Sequence, residues 1–344
     1  MTPSLTRTAG RARSSAIRRM ATAWRAVVAG DVDLATRVGS VTLPNPVMTA
    51  SGTAGHADEL AAYFPLAGLG ATVVKSLAAY PWPGNTAPRV HETASGMVNS
   101  VGLQGPGIDA WLADDLPRLA ATGARVVVSI WGRSTEEFAE AARRLDRAVA
   151  EAEAGGPARA VVAVEVNVSC PNVEDRRRTF AHSPAATAAV VTAVTAACRL
   201  PAWAKLSPNV ADVAEVAAAA VESGAEAVTL VNTVLAMAVD AERRRPLLGA
   251  GGGGLSGPAI HPVALRAVWD CHAALPDAII VGVGGVGSGV DAVELLLAGA
   301  TAVQVGTATF RDPRAPWRVL DELERWCARH GVRAPSELRG AAHR

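Results

Sequence analysis

Asn167-Val168-Ser169-Cys170-Pro171-Asn172 sets one cysteine between two asparagines and ahead of a proline. A thiol in such a polar loop serves as base or nucleophile where its acidity suits, the free group having a pKa of about 8.5. The other cysteines, Cys198, Cys271 and Cys327, fall in Ala-rich or amphipathic helical stretches and read as buried and inert. Lysine is the second signal. Of 33 basic residues only Lys75 and Lys205 are lysines, and both close an apolar run. A lysine after a strand is ordinarily a solvated surface group. In a chain that otherwise uses arginine, two of them at such positions point to a need for a compact ammonium charge. A third signal is Gly284-Gly285 and Gly306-Thr307, each directly after an apolar run. Glycine lets the backbone approach an anion closely, and adjacent loops of this kind read as a phosphate site.

Other chemistries are excluded by pattern. No Cys-x-x-Cys appears, the histidines (His56, His91 and His182 among them) lack metal spacing, and no Gly-x-Ser-x-Gly elbow is present. No metal site is expected. A net charge of +1 offers no field for nucleic acid. No uninterrupted apolar run is long enough to span a membrane, and scattered free cysteines fit a reducing, cytoplasmic setting.

These residues need a frame that brings them together. Eight apolar runs are expected as strands: Val47–Ala50, Ala71–Lys75, Arg125–Ile130, Val161–Val168, Pro201–Lys205, Ala227–Val231, Ile279–Val283 and Ala302–Val305. They show little alternation, as parallel strands buried on both faces do. Helical stretches separate most of them: Ser134–Glu153, Ser183–Cys198, Val210–Glu222, Pro262–Leu275, Gly289–Ala298 and Pro316–Arg329. Ser134 with Glu137 has the spacing of a capping box. Eight alternations favour a single (β/α)8 TIM barrel over an open doubly wound sheet. Gly284-Gly285-Val286-Gly287 comes too late for a dinucleotide-binding motif. Val41–Leu43 is expected as half of a hairpin closing the barrel bottom, and the Gly/Arg-rich stretch Glu242–Gly257 as a long loop. Residues 1–30 hold six arginines and no acid, and read as a disordered or weakly helical basic extension. The alternatives are a start at Met20 or a surface-binding helix. Residues 31–334 form the catalytic domain and 335–344 a C-terminal tail.

In a barrel the chemistry sits where strands end, and the polar residues named above fall there. Together with Gly84-Asn85-Thr86-Ala87-Pro88-Arg89, Asn99-Ser100-Val101-Gly102-Leu103-Gln104, Lys205-Leu206-Ser207-Pro208-Asn209 and Leu255-Ser256-Gly257-Pro258-Ala259, they resemble the class 1 dihydroorotate dehydrogenases, cytosolic FMN enzymes of pyrimidine synthesis. The resemblance runs from about Val32 to Trp326. It implies FMN contacts from Ser51, Lys75, Ser76, Ser129, Asn167, Lys205, Val231, Gly257, Gly284, Gly285, Gly306 and Thr307, with Lys205 near the pyrimidine edge of the flavin. It implies a substrate clamp of Lys75, Asn99, Ser100, Val101, Gly102, Leu103, Asn167, Asn172, Asn232 and Thr233. Lys75 would pair with the carboxylate of dihydroorotate, and asparagine amides would serve a ring of alternating C=O and N–H groups. Cys170 would take a proton from ring carbon five while hydride leaves carbon six for flavin N5. The membrane-bound class uses serine there, so the cysteine marks class 1.

Gly102-Leu103-Gln104 and Arg243-Arg244-Arg245-Pro246 are most similar to subclass 1B. That implies a homodimeric core and a second subunit carrying FAD and a 2Fe–2S cluster, with NAD as acceptor. Where the family's third strand commonly ends in a flavin-contacting asparagine, this chain has Ser129, beside an unusual Trp131. Two other functions remain open at this point: an FMN dehydrogenase of another dihydropyrimidine or cyclic amide, and a non-catalytic flavin-binding paralog. Lys75 discriminates against the first, since a substrate without a carboxylate has no need of it. Cys170 and the full clamp discriminate against the second.

Overall fold

In the computed structural model, which describes residues 32–152, 155–169 and 180–344, short apolar runs form a closed ring of parallel strands. They are β1 (Val47–Thr49), β2 (Thr72–Val73), β3 (Val126–Ile130), β4 (Val161–Asn167), β5 (Ala202–Lys205), β6 (Ala227–Leu230), β7 (Ile280–Val283) and β8 (Ala302–Val305). The hydrogen-bonded order is β1-β8-β7-β6-β5-β4-β3-β2, and a parallel bridge from Met48 to Ala71 joins the two ends. This is the expected TIM barrel. All eight expected strands are present, most trimmed by one or two residues.

Helices wrap the ring at Thr135–Glu151, Pro184–Ala197, Val213–Glu222, His261–Ala274, Gly289–Ala298 and Ala315–His330. Four begin at a side-chain cap. Ser134, Ser183, Asp212 and Ser288 each accept a backbone N–H from the first turn, satisfying donors that have no partner inside the helix. Ser288 and Asp291 form a reciprocal capping box. At Ser134 only half of the expected box forms. The Glu137 carboxylate instead accepts from the Arg133 N–H at 2.8 Å and the Tyr80 hydroxyl at 2.8 Å.

Period-2 alternation divides the interior from the helix side. On β4, Val164 and Val166 pack among the helix-facing core, while Ala163 belongs to the barrel floor. Glu165 and Asn167 share the face of Ala163 and so point inward. By the same count Lys205 lies above Trp203, Gln304 above Ala302, and Ser129 above Val127. The interior is thus apolar at its base and polar toward the C-terminal end. The hairpin Thr36–Val38/Val41–Leu43 closes the base, burying Val38, Val41 and Leu43 against Met48, Trp203 and Val281.

The opposite end carries a structure that the expected long loop did not anticipate. Val90–Thr93, Gly96–Asn99, Gly253–Ser256 and Val234–Ala236 form a four-stranded antiparallel sheet, and Val239–Asp240 pairs with Arg245–Pro246. Gly253 and Gly254 are strand residues. A Cβ on Gly253 would overlap the Asn99 carbonyl, and one on Gly254 the Thr233 hydroxyl. The glycine run that reads as loop is a strand packed too closely for side chains.

The last ten residues form turns Pro335–Leu338 and Ala341–His343 against the barrel. His343 stacks on Trp269 with ring centroids 3.6 Å apart, and Gly340 N–H donates to Leu296 O at 3.0 Å.

Candidate active site

Lys205 ends β5 inside the barrel and is almost fully buried. Its Nζ lies 3.2 Å from Ser51 Oγ, 3.3 Å from Gln304 Oε1 and 3.8 Å from Glu165 Oε1. Ser51 follows β1, so the ammonium is held between the barrel interior and its mouth. Gln304 Nε2 donates to Glu165 Oε2 at 2.8 Å.

Beside this ammonium a chain of polar side chains crosses the mouth from β3 to β6. Ser129 and Ser76 hydroxyls are 2.9 Å apart. Asn167 Nδ2 donates to Ser76 Oγ at 3.0 Å, and its Oδ1 accepts from Ser169 Oγ at 2.9 Å and Asn232 Nδ2 at 3.3 Å. Asn232 also donates to Ser169 Oγ, and its Oδ1 accepts the Thr233 N–H. Expected contacts Ser76, Ser129, Asn167, Asn232 and Thr233 are therefore brought together. Ser129, where the family commonly has asparagine, reaches the network through Ser76.

Asn99 arrives from the antiparallel sheet, paired with Gly254 and donating to its carbonyl at 3.3 Å. The sheet thereby sets Asn99 beside Thr233, which approaches the same glycine. The following segment is fixed by its backbone. Asn85 holds Ser100 and Val101, its Nδ2 donating to Ser100 Oγ at 2.8 Å and its N–H to Val101 O at 3.0 Å. Gly102 and Leu103 both adopt positive φ, 73° and 61°, and Trp82 Nε1 donates to Gly102 O at 3.0 Å. A leucine in that region is unusual and marks a turn held by its surroundings. Lys75 stands over the β1 loop, with its Nζ 3.5 Å from where a Cβ on Gly52 would lie.

At the other side of the mouth, the loops after β7 and β8 lie side by side. Gly284 and Gly285 take φ values of 137° and 71°, which L side chains avoid. Gly306 comes within van der Waals reach of Ala50, and Thr307 starts the short helix Ala308–Arg311. Thr307 Oγ1 donates to Ser256 Oγ at 2.7 Å, next to Gly257, where a Cβ would clash with Gly96. Val231 directly follows β6. His261 steadies the first of these loops, with Nδ1 3.0 Å from Gly284 O and Nε2 2.8 Å from Glu294.

This donor set fits FMN. A buried ammonium with hydroxyl and amide neighbours suits the carbonyl-bearing pyrimidine end of a flavin. Glycine loops after the seventh and eighth strands, with Gly284 and Gly285 packed too closely on Ala264 and His261 to carry a Cβ, leave backbone N–H groups in the place where barrels bind phosphate. His261, Asp291 and Glu294 also cluster, but their atoms are engaged: Asp291 Oδ2 accepts from Gly287 N, Ser288 N and Ser288 Oγ.

Cys170 and Asn172 lie outside the described residues. The other three cysteines are buried as expected. Burial pushes the Cys198 and Cys327 thiols up to about 11 and the Cys271 thiol to about 12, so they are inert near neutrality. Sequence reasoning missed Glu165 and Gln304, both fully buried. Their only trace in the sequence is a single polar residue inside an otherwise apolar strand core, which does not show the way it faces. It also missed His56, whose pKa burial lowers and whose neighbours include Asp115 and Lys75.

Fold and site together define a barrel oxidoreductase built around a flavin. Comparisons narrow the class. The family profile "Dihydroorotate dehydrogenase" matches residues 33–326. The chain is 49% identical over 313 residues to the "Dihydroorotate dehydrogenase B (NAD(+)), catalytic subunit" of Desulforudis audaxviator, covering 91% of this chain and 98% of that one. It is 45% identical over 309 residues to the protein of that name from Geobacter sulfurreducens, covering 90% and 98%. The crystal structure of the Eimeria tenella enzyme with ferulenol superposes with a TM-score of 0.73 at 22% identity, covering 95% of each chain, which supports the fold. The chain belongs to the dihydroorotate dehydrogenase family, FMN-dependent oxidoreductases.

Proposed function

We propose that this chain is the catalytic subunit of an NAD-linked dihydroorotate dehydrogenase, oxidising (S)-dihydroorotate to orotate in pyrimidine synthesis. The observation that best supports this is the convergence of Asn99, Asn167, Asn232 and Thr233 on one side of the mouth, with Lys75 next in sequence to Ser76, which Asn167 contacts. Amides supply donors and acceptors for an imide ring, and an ammonium pairs with its carboxylate. The two relatives carrying the name of an NAD-linked catalytic subunit support the subclass.

Bound FMN supplies the hydride acceptor, at its N5. In this reading Lys205, with Ser51, Ser76, Ser129, Val231 and Asn167, holds the pyrimidine half of FMN. Gly257, Gly284, Gly285, Gly306 and Thr307 hold its phosphate end. The backbone of Ser100–Leu103 closes over the substrate. Cys170 removes the proton from ring carbon five. The clamp would hold the ring in one orientation, and the sheet above the mouth would limit water. The physiological assembly is a homodimeric core joined by a subunit carrying FAD and a 2Fe–2S cluster.

The test is anaerobic mixing of purified holoenzyme with dihydroorotate. Wild type should bleach its flavin. Cys170→Ala should keep its flavin and bleach at least a hundredfold more slowly, as loss of a general base requires. Unchanged bleaching would remove the base assignment. Bleaching by dihydrouracil but not by dihydroorotate would remove the substrate assignment.

A further inference from the structure

An acid occupies the middle of β4, where only barrel-core residues are expected. Glu165 sits between Val164 and Val166 with no exposure, and Gln304 stands likewise between Val303 and Val305 in β8. The Gln304 amide lies between two opposite charges, its oxygen 3.3 Å from Lys205 Nζ and its nitrogen 2.8 Å from Glu165 Oε2. A flipped amide would set N–H against ammonium and carbonyl against carboxylate, so the charges fix its orientation. Glu165 Oε1 receives no hydrogen bond among the described residues and faces Lys205 Nζ at 3.8 Å. That is charge contact without a hydrogen bond. Gln304 thus keeps the acid from drawing the ammonium down into a close pair, and Lys205 remains within reach of Ser51 at the mouth.

Buried charges act on their surroundings with little solvent damping. We propose that Glu165 is a positioning residue for Lys205: its carboxylate, set against the ammonium across Gln304, fixes how much positive charge reaches the flavin and so sets the flavin's reduction potential. The inference rests on the reading that Lys205 flanks the pyrimidine edge of FMN. Reduction places negative charge on that edge. Removing the Glu165 charge should therefore make reduction easier, and weakening the lysine should make it harder.

The experiment measures two quantities on purified holoenzyme. One is the midpoint potential of the bound flavin, read against reference dyes. The other is the dissociation constant of sulfite, which adds reversibly to oxidised flavin, leaves it negatively charged and bleaches it. Glu165→Gln keeps the shape and removes the charge. It should tighten sulfite roughly tenfold and raise the potential by about 30 mV, the two-electron equivalent of tenfold. Glu165→Asp keeps the charge and alters the packing, and should stay within about threefold of wild type. Sulfite binding by Glu165→Gln within twofold of wild type would overturn the proposal, as would a Glu165→Asp shift as large as that of Glu165→Gln. The Glu165→Asp arm decides alone if Glu165→Gln does not accumulate. Lys205→Met should weaken sulfite at least tenfold. No change there would sink the placement of Lys205 beside the flavin, a failure distinct from silence at Glu165.

Discussion

In the proposed clamp Lys75 pairs with the substrate carboxylate, and that contribution can be bounded. A hydrogen bond to a charged group is worth about 1.5–3 kcal/mol. Replacing Lys75 by Met should lower kcat/KM for dihydroorotate roughly 10- to 150-fold, since 1.4 kcal/mol is about one decade. The loss should be carried mainly by KM, because the carboxylate lies away from the reacting carbons. Orotate should also bind more weakly as a product inhibitor. Steady-state kinetics decide it, and an unchanged KM would mean that the carboxylate is held elsewhere. Lys75 drew notice from residue choice alone, in a chain with two lysines. Glu165 and Gln304 did not. Within an apolar run a single polar residue looks like noise until the strand's alternation shows that it faces the barrel interior with Lys205.

Elements were legible where local chemistry and burial agree. The cap at Ser134 marks a helix start in both sequence and structure, and the eight strands read as apolar because both faces are covered. The antiparallel sheet over the mouth was illegible. Its central strand owes its glycines to the approach of Asn99 and Thr233, a tertiary fact with no local signal. The C-terminal turns have a different dependence, on pH. His272 lies beneath Gly340, and its pKa is lowered from 6.5 by burial first, then by Arg339 and His343. Arg339 is itself half-buried, its pKa lowered by that burial against the pull of Asp277, and its guanidinium donates to Pro276 O and Ala278 O. A histidine whose folded pKa is depressed stabilises the fold above its unfolded value. That contribution is lost as pH falls below about 6.5. Hydrogen exchange of residues 335–344, corrected for intrinsic rates, should therefore show less protection at pH 5.5 than at pH 7.5, and His272→Gln should flatten the difference. Equal protection in wild type would show that this cluster does not tie the segment down.

For the whole molecule the open question is where electrons go. The described residues hold three cysteines, all buried with raised thiol pKa values, and the sequence has no Cys-x-x-Cys. Around the mouth, the antiparallel sheet and the Val239–Pro246 ribbon stand over the β6 end, with Leu235, Met237 and Val239 exposed beside Arg243, Arg244 and Arg245. In the proposed assembly the electrons leave through a second subunit, as the relatives' name of catalytic subunit suggests. Transfer through a second subunit needs only an electron path to the flavin's edge. The purified chain should therefore reduce its own flavin with dihydroorotate yet form no NADH from NAD. Adding a subunit that carries FAD and a 2Fe–2S cluster should raise NADH formation from background to sustained turnover. Fumarate should reoxidise the reduced chain far more slowly than the complex passes electrons to NAD. If the chain alone turned over with NAD, or used fumarate as readily, the two-subunit reading would fail while the barrel chemistry at Cys170 and Lys75 stood.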